Sequence, residues 1–126
     1  MIYDKYEIGD IVSVDIYKYP NGSDGTYHFF VIMLISDNEI TAVPIDYQGF
    51  ILSSNSEKNN DVNANYPYNE PIEPNDANGL SKKGHVKCNE FINLHPRNII
   101  MKIGNVTSAQ YEKYMELYEK SLKEII

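Results

Sequence analysis

Hydrophobic and polar residues alternate with period two early in the chain, where Val12, Val14 and Ile16 oppose Ser13 and Asp15 behind Gly9-Asp10. That pattern predicts a half-buried strand over 11–16. Pro20-Asn21-Gly22-Ser23-Asp24-Gly25 is rich in residues that tolerate positive φ and predicts a turn. Residues 26–36 are aromatic and branched with no helical period, the mark of a central strand buried on both faces for part of its length. A tight polar connection over 36–39 leads into 40–45, so the two segments read as a hairpin, with Pro44 at a strand end or edge.

The pattern dissolves over about 47–79. Asn55, Asn59, Asn60, Asn63, Asn65, Asn69, Asn75 and Asn78 share this segment with Pro67, Pro71 and Pro74, and it reads as a long surface loop. Two short strands are expected over 86–91 and 99–103, separated by a His95-Pro96-Arg97-Asn98 turn. A helix then follows. Thr107 and Gln110 form a capping box, with Val106 placed to staple onto Tyr111. Tyr111, Tyr114, Met115, Tyr118, Leu122 and Ile125 recur at helical spacing opposite a charged face, as an amphipathic helix packing on a sheet requires.

At 126 residues the chain is expected to form one domain, 1–126, mainly β with a C-terminal amphipathic helix. Cys88 is the only cysteine, so no internal disulfide forms and a reducing, cytoplasmic setting is expected. The longest apolar run, 29–35, is too short to cross a bilayer, and no membrane association is expected. His28, His85 and His95 show no ligand spacing, so no metal site or cofactor is expected. Charge is segregated: the net charge is −7, yet residues 82–102 hold Lys82, Lys83, Lys87, Arg97 and Lys102 against Glu90 alone. Such a patch suits an anion or an acidic partner, or it is simply a solvated flank of a strand. Asp61, Glu70, Glu73 and Asp76 have the sign needed to fold back on it.

The order of elements resembles that of the MazF/PemK family of toxin–antitoxin ribonucleases. The resemblance rests on Gly9-Asp10-Ile11-Val12, the 29–35 and 42–45 strands, Gly79-Leu80, and the closing Ile103-Gly104-Asn105-Val106-Thr107 with Gln110-Tyr111. It implies an SH3-like antiparallel barrel with a C-terminal helix, a homodimer, and metal-independent endoribonuclease activity on single-stranded RNA. It also implies a cyclic-phosphate product and neutralisation by an antitoxin. The family sets an arginine, normally before proline, at the start of the long strand, where this chain has Tyr27 and His28. It sets a threonine or serine after the hairpin's second strand, where this chain has Asp46.

RNA cleavage by a neighbouring 2′-hydroxyl needs a base, an acid and a cation or donors for the phosphorane. An ordinary histidine, with a pKa of ~6.5, supplies both acid and base near neutrality. His28 is therefore the first catalytic candidate, with Tyr27 as a base-stacking or phosphate-donating group and Asp46 as a base or an orienter of His28. Lys82, Lys83, His85, Lys87 and Arg97 are the RNA-binding candidates, with Lys83, His85 and Lys87 on one strand face by alternation. Each has a plainer reading as an exposed strand or turn residue. The alternative function is a member of the family fold that binds RNA or protein without cleaving.

Overall fold

The computed structural model describes residues 5–37, 44–54 and 67–125. β1 (Asp10–Lys18) and β2 (Asp24–Asp37) pair antiparallel across the glycine-bearing turn, with Val14 opposite His28 and Tyr17 opposite Gly25. β3 (Pro44–Ser54) returns antiparallel along β2 with Pro44 at its first position, while most of the expected 36–39 connection and 40–45 strand falls on residues 38–43, outside the described residues. β4 (Asn69–Ile72), β5 (Gly84–Lys87), β6 (Ile92–Leu94), a single 3₁₀ turn (Pro96–Asn98) and β7 (Ile99–Asn105) follow. The strands form one antiparallel sheet of order β4-β5-β3-β2-β1-β7, with β6 added to the far end of β3. α1 (Ser108–Ile125) closes the chain, giving the expected mainly β fold with a C-terminal helix.

The sheet curls until β1 approaches β6. Two buried clusters result, one on each sheet face. Inside the curl lie Val12, Val14, Tyr17, Phe30, Ile32, Tyr47, Ile51, Ile92 and Leu94. Ile11, Val31, Met33, Phe50, Leu52, Val86 and Cys88 face outward and are covered by Tyr111, Tyr114, Met115 and Tyr118 of α1. That alternation along β1, β2 and β3 explains why the 29–35 run looked continuously apolar: both faces are buried. Phe50 is fully buried and stacks on Phe91 at 4.8 Å between centroids, a burial that stabilises the fold by roughly 2–3 kcal/mol.

The capping box is present: Gln110 N donates to Thr107 Oγ1 (3.1 Å) and Thr107 N donates to Gln110 Oε1 (2.8 Å). The apolar stripe differs at its end. Ser121 is buried, with its hydroxyl donating to Tyr118 O, while Leu122 is 45% exposed. The 47–79 segment needs a larger correction. Residues 47–54 belong to β3 and Asn69–Ile72 is the edge strand β4, leaving a 55–66 interval outside the described residues. Phe50 and Leu52 face one side and Ile51 the other, so β3 is pinned on both faces by burial that the Asn-rich composition downstream obscures. The 86–91 strand is shorter and earlier than expected, since the chain turns at 88–89 after Lys87. No described helix is long and apolar enough to cross a membrane.

Candidate functional site

His28 sits near the start of β2 with its imidazole inside the curl. Its Nδ1 lies 2.7 Å from the Tyr17 hydroxyl and 3.0 Å from the Thr26 carbonyl oxygen. Tyr17 is itself buried, edge-on to Phe30 at 4.8 Å, and its hydroxyl is 3.3 Å from that of Tyr19. Burial first, then the Tyr19 bond, pushes the Tyr17 hydroxyl above its ordinary range, so it stays protonated. Two proton arrangements fit this geometry. When the Tyr17 O–H donates to Nδ1, the proton of neutral His28 sits on Nε2. When Nδ1–H donates to the Thr26 carbonyl, Nε2 is bare and basic. Only the Nδ1–H form makes both contacts, since the Thr26 carbonyl and the Tyr17 oxygen can each accept, and that form keeps them when Nε2 takes a proton.

Gly25 makes that anchor possible. A Cβ there would overlap the Tyr17 ring, so any side chain would displace Tyr17 from His28. Beside His28, Tyr27 is 59% exposed and is the only described non-glycine residue with positive φ, 24°. Such a backbone is strained, and it turns the ring edge-on to Phe29 at 6.1 Å. Tyr27, His28, Phe29, Leu52, Leu80, Ser81 and Lys82 line a cavity of about 350 Å³. Tyr27, His28 and Lys82, three of the residues singled out from sequence, therefore border one cavity, whose Phe29, Leu52 and Leu80 belong to the outer cluster.

Lys82 is delivered there by a locked turn. Asn78 is fully buried; its Oδ1 accepts from Asn75 N (3.0 Å) and Leu80 N (3.0 Å), and its Nδ2 donates to Glu73 O (2.8 Å). Asn78 N also donates to Asn75 Oδ1 (2.8 Å). Gly104 of β7 packs directly against the Asn78 backbone, where a Cβ would collide with it. The Ile-Gly pair is thus a close-approach device holding the 75–80 turn.

The other candidates scatter. Lys83 is exposed and pairs with Glu73 at 3.3 Å, so one acidic residue of the 47–79 segment does fold back on the basic stretch. Lys102 is held by Asp10 at 3.1 Å. Arg97 is exposed on the 3₁₀ turn, in neither of the cavities bordered by Lys82 and Lys87. Asp46 pairs with Ser36, eight positions along β2 from His28, so roughly 25 Å separates them. It does not orient His28.

His85 requires the clearest correction. It is fully buried, not exposed between lysines, because β4 covers β5 and makes an interior strand of it. Neither ring nitrogen has a hydrogen-bond partner among the described residues, and desolvation, then the Lys87 charge, lowers its pKa. The register sets Ser53 opposite His85 and, one position past the Phe29–Leu52 pair, next to His28. The two histidines thus share a row of the inner face, two inter-strand spacings or about 10 Å apart. Tyr17, Tyr19 and Asn78 were not found from sequence. The one available signal was a tyrosine facing a glycine across the first hairpin. Among the described residues, no three His, Cys, Asp or Glu side chains cluster as metal ligands do.

The sequence matches no protein-family model and no curated protein. Solved structures do match. An endoribonuclease in complex with its cognate antitoxin, from a mycobacterial species, superposes with a TM-score of 0.62 at 17% identity, covering 94% of this chain and 96% of that one. A second mycobacterial endoribonuclease gives 0.57 at 14%, over 98% and 96%, and the Mycobacterium tuberculosis toxin MazF-mt6 gives 0.54 at 12%, over 88% and 96%. Over nearly its whole length, the chain has the fold of MazF-type endoribonuclease toxins.

Proposed function

We propose that this protein is a MazF-like toxin, an endoribonuclease that cleaves single-stranded RNA without a metal and is neutralised by an antitoxin. The observation that supports it best is the Tyr17-anchored imidazole of His28. It stands where the resemblance sets the family's arginine, within the same fold as two endoribonucleases. In this reading Nε2 of His28 takes the proton of the ribose 2′-hydroxyl, the 2′ oxygen attacks phosphorus, and the P–O5′ bond breaks. A cyclic phosphate and a 5′-hydroxyl result, the 5′ oxygen taking its proton from solvent. Lys82 supplies positive charge for the phosphorane, and Tyr27 offers an exposed ring to an unstacked base. The protein works in the cytoplasm as a homodimer.

The alternative, an RNA- or protein-binding module without cleavage, draws on one observation: Asp46 lies far from His28, so no second described carboxylate or histidine candidate is exposed beside it. One experiment separates the two. Purified protein incubated with a mixed-sequence single-stranded RNA in the presence of a chelator should cut it, and His28→Ala should not. RNA left intact by the unsubstituted protein points to the binding module.

A further inference from the structure

A second cavity, also of about 350 Å³, opens at the rim of the curl and is lined by Tyr19, Ile51, Tyr68, Asn69, Lys87, Asn89 and Glu90, among others. Its floor is apolar, since Ile51 and Ile92 belong to the inner cluster. Two tyrosines contribute to its walls, and both have their hydroxyls tied elsewhere. Tyr68 donates to Glu124 of α1, and the Tyr19 hydroxyl pairs with that of Tyr17. Each is therefore fixed with its ring, not its hydroxyl, available to a guest. The polar groups are mixed in kind: the Lys87 ammonium, the Asn89 amide and the Glu90 carboxylate, none of which bonds to another described residue. One cation and one anion cancel, so the cavity has no preference for a bare phosphate. It suits a planar neutral guest that presents donors and acceptors along one edge.

We propose that this cavity is a base-reading subsite for single-stranded RNA, taking an unstacked base that carries an exocyclic amino group. Glu90 and the Asn89 carbonyl accept from the amine, Lys87 and the Asn89 amide donate to the adjacent ring nitrogen or carbonyl, and the tyrosine rings flank the base. The site is coupled to the candidate chemistry by structure. Tyr19 stands at one end of a chain of contacts, Tyr19 hydroxyl to Tyr17 hydroxyl to His28 Nδ1. A base seated against Tyr19 thus lies beside the group that fixes the His28 ring. The inference rests on the RNA-cleaving reading for its substrate class, and its test is chosen not to depend on cleavage.

Fluorescently labelled 2′-O-methyl hexanucleotides of adenine, cytosine or uracil, which have no 2′-hydroxyl to attack, are titrated with the protein. Adenine and cytosine strands should bind about tenfold more tightly than uracil, the discrimination of one good edge contact. Asn89→Ala and Glu90→Ala, both on the exposed turn after β5, should bring that ratio down to about one while leaving the melting temperature unchanged. Tyr19→Ala should weaken all three strands by about tenfold. Equal binding of the three strands by the unsubstituted protein, or Asn89→Ala and Glu90→Ala proteins that weaken all three alike, would overturn the proposal, as would absence of binding. Cleavage of natural RNA unaffected by Asn89→Ala and Glu90→Ala would also overturn it while sparing the endoribonuclease reading. The converse, base-selective binding without cleavage of natural RNA, would spare the subsite alone.

Discussion

Replacing His85 by leucine should stabilise this protein, although a fully buried side chain is being changed. The neutral imidazole has one N–H and one lone pair, and neither finds a partner among the described residues. Each buried unpaired group costs about 1–3 kcal/mol. Leucine is close in volume and brings no polar atom, so repacking offsets only part of the gain. At pH 7.5 His85→Leu is expected to be more stable by about 1–3 kcal/mol. The pH dependence gives a second, independent handle. The folded-state pKa is lowered, by burial and then by Lys87, whereas the unfolded histidine titrates near ~6.5. Below about pH 6.5 the unfolded chain therefore binds the extra proton, and stability falls as pH drops. The slope for one proton is at most about 1.4 kcal/mol per pH unit, and the loss levels off at the folded-state pKa. Above about pH 7.5 the contribution is flat. Urea unfolding of both proteins at pH 5.0, 6.0, 7.0 and 8.0 measures this, because carboxylates common to both cancel in the difference. Parallel stability curves, or a His85→Leu protein less stable by more than 1 kcal/mol at pH 7.5, would refute the reasoning and mean that the imidazole is hydrogen-bonded.

Three further outcomes follow from the same geometry. Asn78→Ala removes a buried amide and strands the Asn75 and Leu80 amide donors, so chemical denaturation should show a loss of about 2–4 kcal/mol. Tyr114→Phe deletes a buried hydroxyl that has no partner among the described residues, and thermal melting should show unchanged or slightly higher stability. Tyr17→Phe keeps the ring on Phe30 but frees His28 Nδ1 from its shorter contact, so it should cost about 1 kcal/mol of stability and lower kcat for RNA cleavage by at least tenfold, with KM little changed.

How much of this was visible in the residues depends on whether the signal was local. β1, β2 and the capped helix are written in short-range periodicity and in Thr107-Gln110, and the structure has all of them. β3 hid because its alternation, Phe50 and Leu52 against Ile51, abuts an Asn-rich stretch whose composition reads as loop. The burial of His85 was not legible, since it depends on β4 pairing onto β5, a contact between segments about fifteen residues apart whose partner, Asn69–Ile72, contains a proline. The charge of the 82–102 stretch was real but not its unity. Glu73 holds Lys83, Asp10 holds Lys102, and the curl sends Lys82 and Lys87 to different cavities. His28 and Tyr27 were identified by resemblance. The group that fixes His28, Tyr17, became visible only when the hairpin register set it over Gly25.

In the proposed function, RNA cleavage depends on His28. Its most direct test is the single-turnover rate on a single-stranded RNA, in chelator, for the unsubstituted protein and for His28→Ala, with a fully 2′-O-methylated strand as control. The unsubstituted protein should give cyclic-phosphate products, His28→Ala a rate lower by about a hundredfold or more, and the methylated strand should not be cut. A His28→Ala protein that cuts RNA at the original rate, or an unsubstituted protein that leaves it whole, would contradict it.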